Sequence, residues 1–183
     1  VAVTTPRELI LDRLVSAISA VVPGAVFSFP GGAEHAPIST DLGGRVYLRQ
    51  QPAARLNSEQ FPAVEVVADM TAPETFTASD RDLYFGKMAV SILGYDCADD
   101  AGDGLDSLLR PKLNAMRADL IIACHAAPFW PSPSSPESLR SRLGSAFVLR
   151  LMEQWAEPGF ETSAGACLLE LVATYPINGH RRN

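Results

Sequence analysis

Residues 61–70, FPAVEVVADM, and residues 83–95, LYFGKMAVSILGY, decide the fold. They are followed by 96–106, DCADDAGDGLD, and 105–116, LDSLLRPKLNAM. The first two segments alternate as half-buried strands must. Val64, Val66 and Ala68 share one face of the first, with Glu65 and Asp69 opposite. In the second, Tyr84, Met88, Val90 and Ile92 oppose Phe85, Lys87, Ala89 and Ser91. Thr71–Asp82, with Pro73 and polar residues, reads as a linker, so antiparallel pairing is the simplest topology. From 105 onward the apolar residues take helical spacing, and that helix must cover one side of the strands. The expected class is α+β. It has a mostly antiparallel sheet of about four to five strands, with two main helices packed on it.

Working outward, Thr5-Pro6-Arg7-Glu8 opens a helix over Pro6–Val22: a capping threonine, proline at the first turn, and a glutamate completing the capping box. Ile10, Leu14, Ile18 and Val21 make its apolar stripe, widened by Leu11 and Val15. Ala25–Phe29 reads as a short strand. Residues 30–60 form a long loop with glycines, prolines, few apolar anchors and one strand-like island at Val46–Leu48. Such a loop is expected to be mobile in a free subunit. Pro111 falls inside the second helical pattern and is expected to kink or divide it. Residues 126–145 read as a Pro/Ser-rich linker. Ala146–Trp155 fits a strand, though residues 147, 151 and 155 also fit a helix. Ala166–Tyr175 alternates as a strand that Pro176 stops.

One domain over 1–183 is the expectation for 183 residues. The net charge of −6 is unevenly placed: residues 59–119 hold 12 acids against 5 bases. Lysine occurs only at Lys87 and Lys112, which argues against a nucleic-acid grip built on a basic stripe. No apolar run nears the ~18–20 residues that cross a bilayer, and no signal pattern opens the chain, so a cytosolic product is expected. The three cysteines, Cys97, Cys124 and Cys167, are odd in number and widely spaced, and read as free thiols rather than a disulfide framework.

The acidic connector Asp96–Asp106 is the loudest local signal. As a calcium loop starting at Asp99 it fails, because the third position is Ala101 and the twelfth is Arg110. It reads either as a turn leading into a helix, with acids near the positive helix end, or as a weak magnesium site. Cys124-His125 reads as a buried structural cysteine beside a histidine rather than a thiolate–imidazole pair. Phe129-Trp130 reads as a pin holding a loop to the core, or as an aromatic ledge. No phosphate-loop, dinucleotide or nucleophile-elbow pattern is present. From the residues, no catalytic, cofactor or metal site is expected.

The order of these elements resembles a known family. The helix RELILDRLVSAI ends at VPGA, a variable Gly/Pro loop follows, and then come FPAVEVVAD, MAVSILGYD, LDSLLRPKLNAM and the closing LELVATYPI. Together they resemble the tail terminator and tail completion proteins of long-tailed bacteriophages, the lambda type among them. The resemblance spans nearly the whole chain and rests on element order rather than on a catalytic motif. It implies a non-enzymatic virion protein that caps the tail tube as a ring, typically six-fold, and offers a head-joining surface. Implied partners are further copies of the chain, the tail tube protein and the head–tail connector. DNA would pass through without specific binding, and neither membrane nor cofactor is involved. Localisation would be the virion tail or neck, after assembly in the host cytoplasm. Asp96, Asp99, Asp100 and Asp103, facing Arg45, Arg49 or Arg55 of a neighbour, are the candidate subunit contacts. Two other readings stand beside it: another neck or head-completion protein, or a metal-assisted hydrolase using Asp99, Asp100 and Asp103.

Overall fold

The computed structural model describes residues 5–33, 35–50, 60–68, 75–78, 84–97, 105–155 and 164–177. Helix α1 (Pro6–Ser19) begins as its sequence demands. Thr5 Oγ1 accepts from the Glu8 amide at 3.2 Å, and Glu8 Oε2 accepts from the Thr5 amide at 2.7 Å. That backbone bond, then the Thr5 side chain, hold the Glu8 carboxyl below its ordinary range. Ile10, Leu11, Leu14, Ala17, Ile18 and Val21 are all buried along one stripe.

Six strands form one sheet five positions wide: β1 (Val46–Arg49), β2 (Ala63–Val67), β3 (Thr75–Ala78), β4 (Tyr84–Cys97), β5 (Val148–Trp155) and β6 (Ala164–Ile177). The order is β1-β2-β4-β6-β5, with β1 parallel to β2 and all other pairs antiparallel. The α+β reading and the mostly antiparallel sheet are therefore correct. Strand β3 lies within Thr71–Asp82, which the sequence assigned to a linker; it pairs with β4 from Thr75↔Lys87 to Ala78↔Tyr84. Strands β2 and β3 thus share one edge of β4. Its Thr-Phe-Thr alternation supplies the strand signal, but four residues between polar neighbours are too few to stand out.

Long β4 and β6 are the spine, paired without a break from Tyr84↔Ile177 to Cys97↔Ala164. Pro176 does not stop β6; it pairs with Phe85 near the strand end, where a missing N–H is tolerated. The ambiguous run near Ala146–Trp155 is strand β5, with a bulge between Leu151 and Glu153. Along β6 burial alternates from Gly165 to Tyr175, the odd-numbered face turning inward as its pattern predicts.

Helix α2 spans Leu105–Ala126, and Pro111 does not divide it. Proline there removes one backbone bond in the second turn, a local loss that packing of Leu113, Met116, Leu120 and Ala123 against the sheet outweighs. No strand forms at Ala25–Phe29. There the Phe27 amide donates to His35 Nε2 at 2.8 Å instead of joining a ladder. The 30–60 loop is better anchored, where described, than its composition suggested. Ile38 and Leu42 are 2% and 0% exposed, and the Leu42 amide donates to the Val21 carbonyl at 3.1 Å. The 126–145 segment is likewise folded. It contains helix α3 (Leu139–Leu143), and Arg13 of α1 pairs with Glu137 at 2.7 Å. Trp130 Nε1 donates to Ser16 Oγ at 2.9 Å and its ring meets Phe27 at 5.4 Å, so this aromatic pins a loop.

Candidate functional site

Two surfaces stand out, both on the side of the sheet away from α1 and α2. The first is a polar corner built on β1, β2 and the end of β4. Alternation sends Tyr47, Arg49, Glu65 and Tyr95 to this side. Glu65 does lie on the face opposite Val64 and Val66, yet it is fully buried there. Arg49 Nε makes an ion pair with Glu65, and Tyr95 donates its hydroxyl to Glu65 Oε2 at 3.1 Å. The Arg49 guanidinium also lies over the Tyr47 ring at 5.5 Å, and Phe61 stacks on Tyr95 at 6.3 Å. A buried carboxylate needs such partners, since removing a charge from water is costly.

Burial, then the Glu65 charge and hydrogen bond, push the Tyr95 hydroxyl well above its ordinary value, while Arg49 acts the other way. The tyrosine therefore stays protonated and donates. This arrangement fixes a β1–β2–β4 corner in place.

The second surface is a shallow groove of about 320 Å³ on β4, β6 and β5, lined by Ala89, Ser91, Glu170, Val172 and Met152 among others. No sequence signal marked it. Lys87 and Ala89 are exposed on the same side, and Met152 at the groove is 61% exposed.

Of the residues expected to make subunit contacts, Arg45, Arg49 and Asp96 are among the described residues. Arg45 is held by its own loop, donating from Nε to the Leu42 carbonyl at 2.9 Å and from Nη2 to the Asp41 carbonyl at 3.0 Å. Arg49 is engaged by Glu65, as above. Asp96 sits at the end of β4, where its Oδ1 accepts from the Cys97 amide at 2.8 Å. Asp99, Asp100, Asp103 and Arg55 lie outside the described residues, and with them the magnesium and hydrolase readings of the connector.

Two of the three cysteines, Cys124 and Cys167, are buried thiols. Burial pushes the Cys124 thiol up to about 12, and mainly burial pushes Cys167 up to about 11. Cys124 is buried while His125 is exposed, so these sequence neighbours point apart. Among the described residues, no group of three or more His, Cys, Asp or Glu is placed to hold a metal ion. Among them too, no helix is long and apolar enough to cross a membrane. Neither a protein-family model nor a curated protein sequence matches this chain.

Proposed function

We propose that this chain is a non-enzymatic structural protein of a phage tail, closing as a ring on the last ring of the tube. In that place it ends tube growth and offers the surface to which the head connector joins. The observation that carries the reading is the resemblance in element order: a capped helix, a long Gly/Pro loop, central strands, a second helix and a closing strand. The α+β architecture is compatible with that order. Its net negative charge suits a conduit through which DNA must slide, because a basic lumen would hold the genome by counterion release. Ring contacts in this reading involve the acidic connector Asp96–Asp106, with Arg45 the better candidate opposite it now that Arg49 is paired internally.

The test is genetic. Removing the gene from an assembling phage should give tails of uncontrolled length that fail to join heads. Normal, infectious particles made without the protein would rule the reading out.

A further inference from the structure

Helices α1 and α2 cover one side of the sheet; on the other, beyond the Phe61–Tyr95 corner, Lys87 and Ala89 of β4 and Arg150 and Met152 of β5 are exposed. Edge strand β5 carries its bulge between Leu151 and Glu153, which disfavours pairing with another strand edge to edge. What β5 does offer is Met152, 61% exposed beside the groove. A flexible thioether next to an apolar hollow is water-exposed area that a docked surface removes.

The charges on this side indicate which surface. Arg150 pairs in register with Val172, and Glu170 with Ser91. The two levels are one side-chain repeat apart, ~6.6 Å along the strands. Lys87, paired with Thr174, adds a second positive charge beyond Arg150. The face is thus basic towards one end and acidic towards the other, with small residues Ala89 and Ser91 between. A surface so divided is complementary to itself turned end for end. A two-fold axis crossing the strands between the Val172 and Glu170 levels sets each Arg150 at the level of Glu170 of the partner subunit. The lateral offset is one strand spacing, ~4.8 Å, within reach of a guanidinium. The same operation sets the two Met152 side chains against each other at the β5 side of the opposed grooves, with the sheets ~10 Å apart.

From this we infer that two copies of the chain pack face to face through the open side of β4, β6 and β5. The contact is isologous and distinct from ring closure, which joins unlike surfaces. It does not rest on the tail-cap reading.

Sedimentation equilibrium at rising protein concentration and low salt tests this. The wild-type chain should show a monomer–dimer equilibrium that salt weakens. Arg150→Glu and Glu170→Arg should each weaken the dimer by about tenfold, because one substitution alters two symmetric contacts. The double variant should recover most of that loss. Met152→Glu should weaken it independently, and circular dichroism of each variant shows whether it is folded. A chain that stays monomeric to its solubility limit overturns the inference, whether the face is then bare or taken by a different protein. A dimer indifferent to both charge reversals overturns it, as does weakening by both singles without recovery in the double. A six-fold species insensitive to all three also overturns it, while leaving the ring reading standing.

Discussion

Gly94 of β4 faces Cys167 of β6, and the room a side chain on Gly94 would take is filled by the Met116 sulfur of α2. A Cβ there would lie 2.6 Å from Met116 Sδ and 2.9 Å from Cys167 Sγ. Gly165 makes a second such notch, its would-be Cβ 2.8 Å from Leu113 Cδ1 and 3.0 Å from Leu109 Cδ2. Two glycines on adjacent strands thus let α2 settle closely onto the sheet. Gly94→Ala should overpack this contact and destabilise the fold by about 1–3 kcal/mol, read from the urea midpoint. An unchanged midpoint would mean that α2 does not sit in this notch.

Glu65 supplies a second expectation. Arg49→Met removes the cation that pairs with a fully buried carboxylate, and should cost about 3–5 kcal/mol. Replacing both members, Arg49→Met with Glu65→Leu, should restore most of that loss because no lone charge remains. Double-mutant-cycle denaturation measures the difference. Equal destabilisation by the single and the double variant would count against a paired corner.

Asp119 of α2 ties down the loop that composition had marked as mobile. Its Oδ2 accepts from the Ser39 amide at 3.0 Å, the Ser39 hydroxyl at 3.0 Å and the Thr40 amide at 2.8 Å. Asp119→Ala should lose about 1–3 kcal/mol by removing the buried, charged acceptor of three hydrogen bonds. Trypsin should then cleave after Arg45 faster than in the wild-type chain. Cleavage at an unaltered rate would assign the loop's anchoring to Ile38 and Leu42 alone.

The thiols predict a pH dependence. Cys124 and Cys167 have folded-state values raised to about 12 and about 11 from an ordinary 9.0, so the folded chain favours their protonated forms. Their contribution is fully present below pH 9 and is lost as pH climbs through the folded values, because the unfolded thiols ionise first. The melting temperature should therefore fall above pH 9. It should fall less steeply in a Cys124→Ala, Cys167→Ala variant, which differential scanning calorimetry can compare. Iodoacetamide at neutral pH should leave both thiols unmodified in the folded protein and alkylate them in urea. Parallel pH profiles for the two proteins would remove the thiols as the cause.

Short-range pattern was enough for the elements that obey it strongly. The Thr5–Glu8 capping box, the Ile10–Val21 stripe and the alternation along β4 and β6 are local facts of spacing. Each admits one way of burying its apolar face, so the helices, the two long strands and the α+β class follow from the residues themselves. Tertiary structure decided what depends on partners distant in the chain. Residues 75–78 become a strand because β4 offers an edge beyond the end of β2. Ala25–Phe29 does not, because the ring of His35 takes the Phe27 amide. Pro111 stays within α2 because sheet packing exceeds one lost backbone bond. Glu65 is buried because Arg49 and Tyr95, 16 and 30 residues away, converge on it. The open groove of β4, β6 and β5 exists only once three strands lie side by side, so no stretch of sequence encodes it alone.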